Sequence, residues 1–329
     1  MKLISRILAS KFLRWGFIVL ALGVGTYYVF DQWGDIYRAL DRIGPAAALG
    51  SLAFDLLSLG ATLMLWRGLM AALGSPLPVG VASRILFVGQ LGKYLPGAVW
   101  PVLAQMEMAT EHKVPRSRTA AASVLTMVTP LLAALLIGLV TLPFIGGATR
   151  YWWAFLIAVP LVACLYPPLL NRLLGLAFKI LRRSPLEQPL TARTIATAMG
   201  WSFVSWIFYG LQIWVLMVAA GARPLSALPL AIGAFAFAFV VGFVIVFAPA
   251  GAGFREVLLA ALMAPMVGTH PAAAITLVSR VATTLADVIV AGSAVYAYRR
   301  AKKRAGLTPP PQDEERPAVT GTTGRSVQL

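Results

Sequence analysis

The chain predicts an all-α polytopic membrane protein. Three observations carry that expectation. Hydrophobic residues make up 59% of the 329 and charged residues 12%, whereas soluble domains carry about 25% charge. The apolar residues fall into runs of about 17–25, the length a helix needs to cross the hydrocarbon core. Two apolar stretches are interrupted by Gly, Pro and a cation, one in each half of the chain.

The first run covers 13–30, behind Lys2, Arg6, Lys11 and Arg14. No small-x-small cleavage site follows, since the next residues are Asp31, Gln32 and Trp33. It reads as an uncleaved first span with the N-terminus cytoplasmic. Segment 31–44 carries Asp31, Asp35 and Asp41 against Arg38 and Arg42, and Ile36, Leu40 and Ile43 at helical spacing. It reads as an interfacial helix on the outer side. Further spans are expected at 46–66, 119–142, 151–170, 195–219, 229–248 and 272–297.

Loop charge sets the topology. His112, Lys113, Arg116 and Arg118 mark a cytoplasmic loop. So do Arg172, Lys179, Arg182, Arg183 and Arg193, where Leu173, Leu174, Ala177 and Leu181 form one apolar face. That pattern fits a basic helix on the inner leaflet. Arg299, Arg300, Lys302, Lys303 and Arg304 make the C-terminal end cytoplasmic. The division is a membrane domain over 1–300 and a polar tail over 301–329, with Pro309, Pro310 and Pro311 followed by Asp313, Glu314 and Glu315, that is expected to be disordered.

This topology constrains the two breaks. Segment 84–108 leaves from the cytoplasmic side and returns to it, so it is a re-entrant pair of half-helices with 92–97 near the tip. Segment 229–267 starts and ends outside. It either crosses twice or dips inward with 249–253 at its tip. The count is about eight membrane segments, two of them broken or re-entrant. The second option makes the halves inverted copies, the pattern of many transporters.

The formal net charge of +16 sits in loops and tails. That fits topology and anionic-lipid attraction, and no basic-aromatic module points to nucleic acid. One cysteine excludes an internal disulfide or a cysteine metal cluster. The two histidines lie at the edges of apolar runs, so no metal or other cofactor is expected. No phosphate loop, Gly-x-Ser-x-Gly or His-Glu-x-x-His occurs, so the chain does not read as an enzyme.

The candidate site follows from the breaks. Lys93 and Tyr94 precede Pro96 and Gly97; Arg255 and Glu256 follow Gly251 and Gly253. A helix N-terminus offers unpaired N–H groups and a positive dipole end, and an added cation suits it to phosphate. Lys93 and Arg255 then grip a phosphate from opposite sides. The plainer alternative pairs Arg255 with Glu256 or another acid and lets Lys93 snorkel. Gln105 and Glu107 either bond a headgroup or face the surface. Asp55, Arg280 and Asp287 are charges within spans, which are costly and mark function. Arg280 and Asp287 share a helix face with Thr283 and Thr284. They form either a polar stripe of the site or a structural pair. Asp55 either carries a coupling proton or pairs with a basic neighbour.

The stretch from Gly89 to Trp100, then Ala104-Gln105-Met106-Glu107 and Val114 to Ala120, resembles the lysylphosphatidylglycerol synthase transmembrane-region family, also called flippase-like. The run Ala248-Pro249-Ala250-Gly251-Ala252-Gly253-Phe254-Arg255-Glu256 resembles its second motif. Trp100, where many members have Gly, and the uncharged stretch from Thr126 to Pro130 depart from the pattern. The resemblance covers about residues 10–300 and implies movement of a lipid or lipid-linked headgroup between leaflets. The soluble aminoacyl-transfer domain of the bifunctional members would need a longer chain, so lysyl transfer is not implied. The expected function is a flippase or flippase-like transporter in a bacterial-type inner membrane, taking a phospholipid or polyprenyl-phosphate headgroup. A non-catalytic subunit of a cell-envelope glycosyltransferase and a small-solute secondary transporter remain alternatives. The expected partners are anionic or phosphate-bearing lipids, with a homodimer or a glycosyltransferase partner left open.

Overall fold

The computed structural model describes residues 33–94, 99–141, 190–244 and 253–304, with isolated positions between 163 and 176. The expected spans at 13–30 and 151–170, most of the basic helix near 171–193 and the tail beyond 304 lie outside the described residues.

Among the described residues there are helices and no strands. Helix α1 covers Trp33–Ala72 and breaks its helical geometry at Gly44, with φ 69° and ψ 164°. Pro45 follows and restarts the helix, as a proline in the first turn does. The short helix expected before the second span is therefore present, joined to that span through the kink. Helix α2 is Val79–Gln90, followed by a 3₁₀ turn at Leu91–Tyr94, and α3 is Trp100–Thr110. Then come α4 (Arg116–Thr141), α5 (Ala192–Ala219), α6 (Pro224–Val244), α7 (Phe254–Val267) and α8 (Thr269–Arg304). Five of these helices are long and apolar enough to cross a membrane: Asp41–Ala72 of α1, α4, α5, Pro224–Phe243 of α6, and α8.

The two broken segments form helix pairs. α2 packs along α3, and α6 along α7. α2 and α3 have 12 and 11 residues, so neither reaches the roughly 20 that span a bilayer. Gly92 lets the first pair close. A Cβ there would lie 2.9 Å from the backbone nitrogen of Pro101. The remaining packing exchanges the halves consistently. α3 lies on α4 as α7 lies on α8, α2 crosses to α8 as α6 crosses to α4, and α1 runs beside α5.

Lipid supplies no hydrophobic drive between spans, so small residues and polar bonds must hold them. The α1–α5 contact uses both. Ser58 Oγ lies 2.8 Å from Ser205 Oγ, and Thr62 Oγ1 lies 3.3 Å from the same atom. Trp206 of α5 donates to the Pro130 carbonyl of α4 at 2.8 Å and stacks edge-on against Phe239 of α6.

A polar clasp joins the basic end of α8 to the middle of α2 and the C-terminal end of α3. Arg84 donates to Glu111 at 2.7 Å and sits 4.3 Å over the ring of Tyr298, which His112 meets edge-on. The Arg84 guanidinium holds the Glu111 carboxyl below its ordinary value.

Candidate functional site

Helix α8 carries Arg280 and Asp287 seven residues apart, about 10 Å along its axis. Each residue meets one of the broken hairpins. The Lys93 Nζ lies 2.6 Å from Asp287 Oδ2, and the Tyr94 hydroxyl donates to the same oxygen at 2.6 Å. The 3₁₀ turn makes this possible, because its tight winding places both side chains on α8. At the other hairpin, Glu256 Oε1 accepts from Arg280 at 3.2 Å and lies 3.4 Å from Arg255. Its Oε2 accepts the backbone N–H of Gly253 at 2.7 Å.

That last bond settles how α7 begins. Gly253 has φ 91°, a backbone that L side chains rarely adopt, so glycine suits the cap position. Glu256, three residues on, reaches back to its N–H in half of a capping box. The helix N-terminus expected to await an anion thus already holds a carboxylate from its own first turn.

Arg280 lies eleven residues into α8, and Asp287 lies eleven residues short of Tyr298, so both charges sit well inside a helix long and apolar enough to cross a membrane, away from its ends. In this setting ion pairing is the way such charges are tolerated.

Arg255 is the least satisfied of the three cations. Its guanidinium lies 5.4 Å from the centre of the Phe235 ring, and its buried Nε has no hydrogen-bond partner among the described residues. Asp55 is fully buried on α1. Its Oδ2 accepts from Gln212 Nε2 at 3.2 Å, and its Oδ1 has no partner among the described residues. Gln212 also bonds Ser279 of α8 at 2.8 Å. Through Gln212, Asp55 is linked to Ser279 of α8, the neighbour of Arg280.

Eight of the sequence candidates are thus placed by the structure. Lys93, Tyr94, Gly253, Arg255, Glu256, Asp55, Arg280 and Asp287 converge in one region. Arg280 and Asp287 serve different hairpins and do not pair with each other. Lys93 has an acidic partner and does not simply snorkel. Gln105 and Glu107 sit apart. Gln105 is buried between Gly89 and Ser123, to which it is hydrogen-bonded. Glu107 is exposed and pairs with Arg116 at 2.7 Å. Gly97 and Gly251 lie outside the described residues. Gln212 was missed. A lone amide in the middle of an apolar span, as in Gly210-Leu211-Gln212-Ile213-Trp214, was the available signal.

The family comparison matches this frame. Residues 15–291 fit the model of the lysylphosphatidylglycerol synthase TM region. The chain belongs to that family. Comparison with curated proteins gives no match. The lysylphosphatidylglycerol synthase TM region match covers α1 to most of α8, so every residue of the cluster falls within it. This is a multi-pass membrane protein of a lipid-related family.

Proposed function

We propose that the protein is a flippase, moving a phosphate-bearing lipid headgroup between the leaflets of a bacterial-type inner membrane. One observation carries the reading. Two helix pairs each carry a cation, Lys93 or Arg255, that meets an internal carboxylate on or beside α8. A carboxylate stands in for the anion that a phosphate oxygen presents. When a lipid phosphate enters, Lys93 and Arg255 exchange those carboxylates for it, and Tyr94 supplies a hydroxyl donor. Charge-assisted bonds of this kind are about twice as strong as neutral ones.

The packing supports an inverted repeat. The halves α1–α4 and α5–α8 exchange their contacts consistently, as expected when one hairpin enters from each side. Alternating access then rocks one hairpin against the other around the charged cluster. The reading includes no catalysis and no cofactor.

The test is reconstitution in liposomes with fluorescent phosphatidylglycerol and an impermeant quencher outside. The expected result is protein-dependent exposure of label that begins in the inner leaflet. Labelled lipid that stays put in wild-type vesicles would overturn the reading and leave an accessory role.

A further inference from the structure

We infer that the central cluster is a charge-matched site for a monoanionic phosphodiester whose polar end is uncharged, and that it refuses dianionic phosphate monoesters and lipids carrying an added amine. This deepens the flippase reading and rests on it.

The ion pairs divide the cluster into two units. Lys93 and Asp287 meet at 2.6 Å, one cation to one carboxylate, and are neutral together. At the other helix pair Arg255 and Arg280 share a single carboxylate, Glu256, at 3.4 and 3.2 Å. Two cations on one acid leave one positive charge in surplus. Between 224 and 298 the sequence has no other Asp, Glu, Lys or Arg, and between 94 and 106 it has none. Asp55 does not cancel the surplus. It is fully buried, one oxygen meets the Gln212 amide, and the other has no partner among the described residues. A carboxyl so placed keeps its proton, because an isolated ionised carboxylate is too costly there.

The surplus has an address. Glu256 gives one oxygen to both arginines and the other to the Gly253 N–H, so it cannot turn wholly to Arg255. The Arg255 side chain is 13% exposed, and its buried Nε has no hydrogen-bond partner among the described residues. Its guanidinium faces the Phe235 ring, which offers no acceptor oxygen. The positive unit therefore lacks one negative charge and one hydrogen-bond acceptor at the same residue. An oxygen of a phosphodiester supplies both.

The same balance decides what is refused. With a phosphodiester bound, the filled site is neutral. A phosphate monoester carries two negative charges above its second pKa, about 6, and leaves the site with one in excess. An amine on the headgroup can reach Asp287 once Lys93 has turned to the phosphate, but one positive charge then stays unbalanced. Either remainder lies in a partly buried site, where an uncompensated charge is strongly disfavoured. An uncharged glycerol or sugar on the phosphate leaves no remainder.

The test uses the full chain in maltoside micelles at about pH 8, where a phosphate monoester is dianionic. Unlabelled short-chain lipids displace bound fluorescent phosphatidylglycerol. The competitors are phosphatidylglycerol, a polyprenyl phosphohexose, phosphatidate and phosphatidylethanolamine. The first two are monoanionic diesters from different sources, and the tighter of them names the lipid. At least one of them should bind about tenfold more tightly than phosphatidate or phosphatidylethanolamine. Glu256→Gln adds one positive charge and should move the preference toward phosphatidate. Arg280→Gln removes one and should move it toward phosphatidylethanolamine. Both readouts are ratios of affinities, which a general loss of stability does not shift. Phosphatidate or phosphatidylethanolamine binding wild type as tightly as the diesters overturns the inference and leaves the flippase reading standing, and so do ratios that the charge variants leave unmoved. No binding of the fluorescent lipid by wild type overturns both. Should Glu256→Gln fail to fold, because Glu256 also caps α7, Asp287→Asn replaces it. It adds the same charge at the other unit and should move the ratio the same way.

Discussion

Replacing Asp287 by Asn tests whether internal carboxylates compete with the lipid phosphate. Asp287 accepts from Lys93 and Tyr94 at 2.6 Å each, and its side chain is 7% exposed. The Tyr94 bond can persist to the Asn carbonyl, so the loss is mainly the bond to Lys93. A charge-assisted hydrogen bond contributes about 1.5–3 kcal/mol. Lys93 is 35% exposed, so water offsets part of that when it is stranded. A loss of about 2 kcal/mol is a fair central value. Asp287→Asn should therefore lower the melting temperature. It should also free Lys93 and Tyr94 for phosphate. If the pair must break for binding, the same 2 kcal/mol should return as affinity, a gain of about thirtyfold. Thermal unfolding in detergent measures the first effect, and titration of fluorescent phosphatidylglycerol into nanodiscs measures the second. Lys93→Ala should weaken binding. If Asp287→Asn weakens it equally, the competition reasoning is wrong, and Asp287 is a direct part of the binding surface.

Arg255→Lys keeps the charge and loses the planar fork, so it should recover only part of the lipid affinity, and Arg255→Gln less still. With about 1.5–3 kcal/mol at stake, Arg255→Gln should bind tenfold to a hundredfold more weakly in the nanodisc titration. Gly92→Ala should destabilise the first hairpin by about 1–3 kcal/mol, because its Cβ meets backbone and not a movable side-chain tip. The readout is the melting temperature in detergent. Arg84 depresses the Glu111 carboxyl, so the pair contributes stability above the usual glutamate pKa and loses it as pH falls through the depressed folded value. Glu111→Gln should therefore flatten the acid limb of a stability-versus-pH curve, and an unchanged limb would mean that the clasp contributes nothing.

The spans were legible because their signal is local. Runs of apolar residues marked α4, α5 and α6 closely, and the apolar middles of α1 and α8, which both extend well past the expected 46–66 and 272–297. The breaks were legible because Gly, Pro and a cation stand out in an apolar stretch. The pairing of charges was not legible. Tyr94 and Asp287 are 193 positions apart, and only the crossing of α2 and its 3₁₀ turn with α8 brings them together. Arg280 and Asp287, seven apart on one helix, looked like each other's partners. Their true partners arrive from two different hairpins. The Arg84, Glu111 and Tyr298 clasp was missed for the same reason, since it joins three separate helices that have no shared sequence signal.

The placement of Arg280 and Asp287 on one continuous helix has a mechanical consequence. A tilt or slide of α8 moves both side chains together, so the two hairpin tips cannot be loosened independently. Any effector that grips α8 at its clasped basic end biases both contacts with one displacement. By reciprocity, whatever occupies the centre must alter the strength of that grip by the same factor.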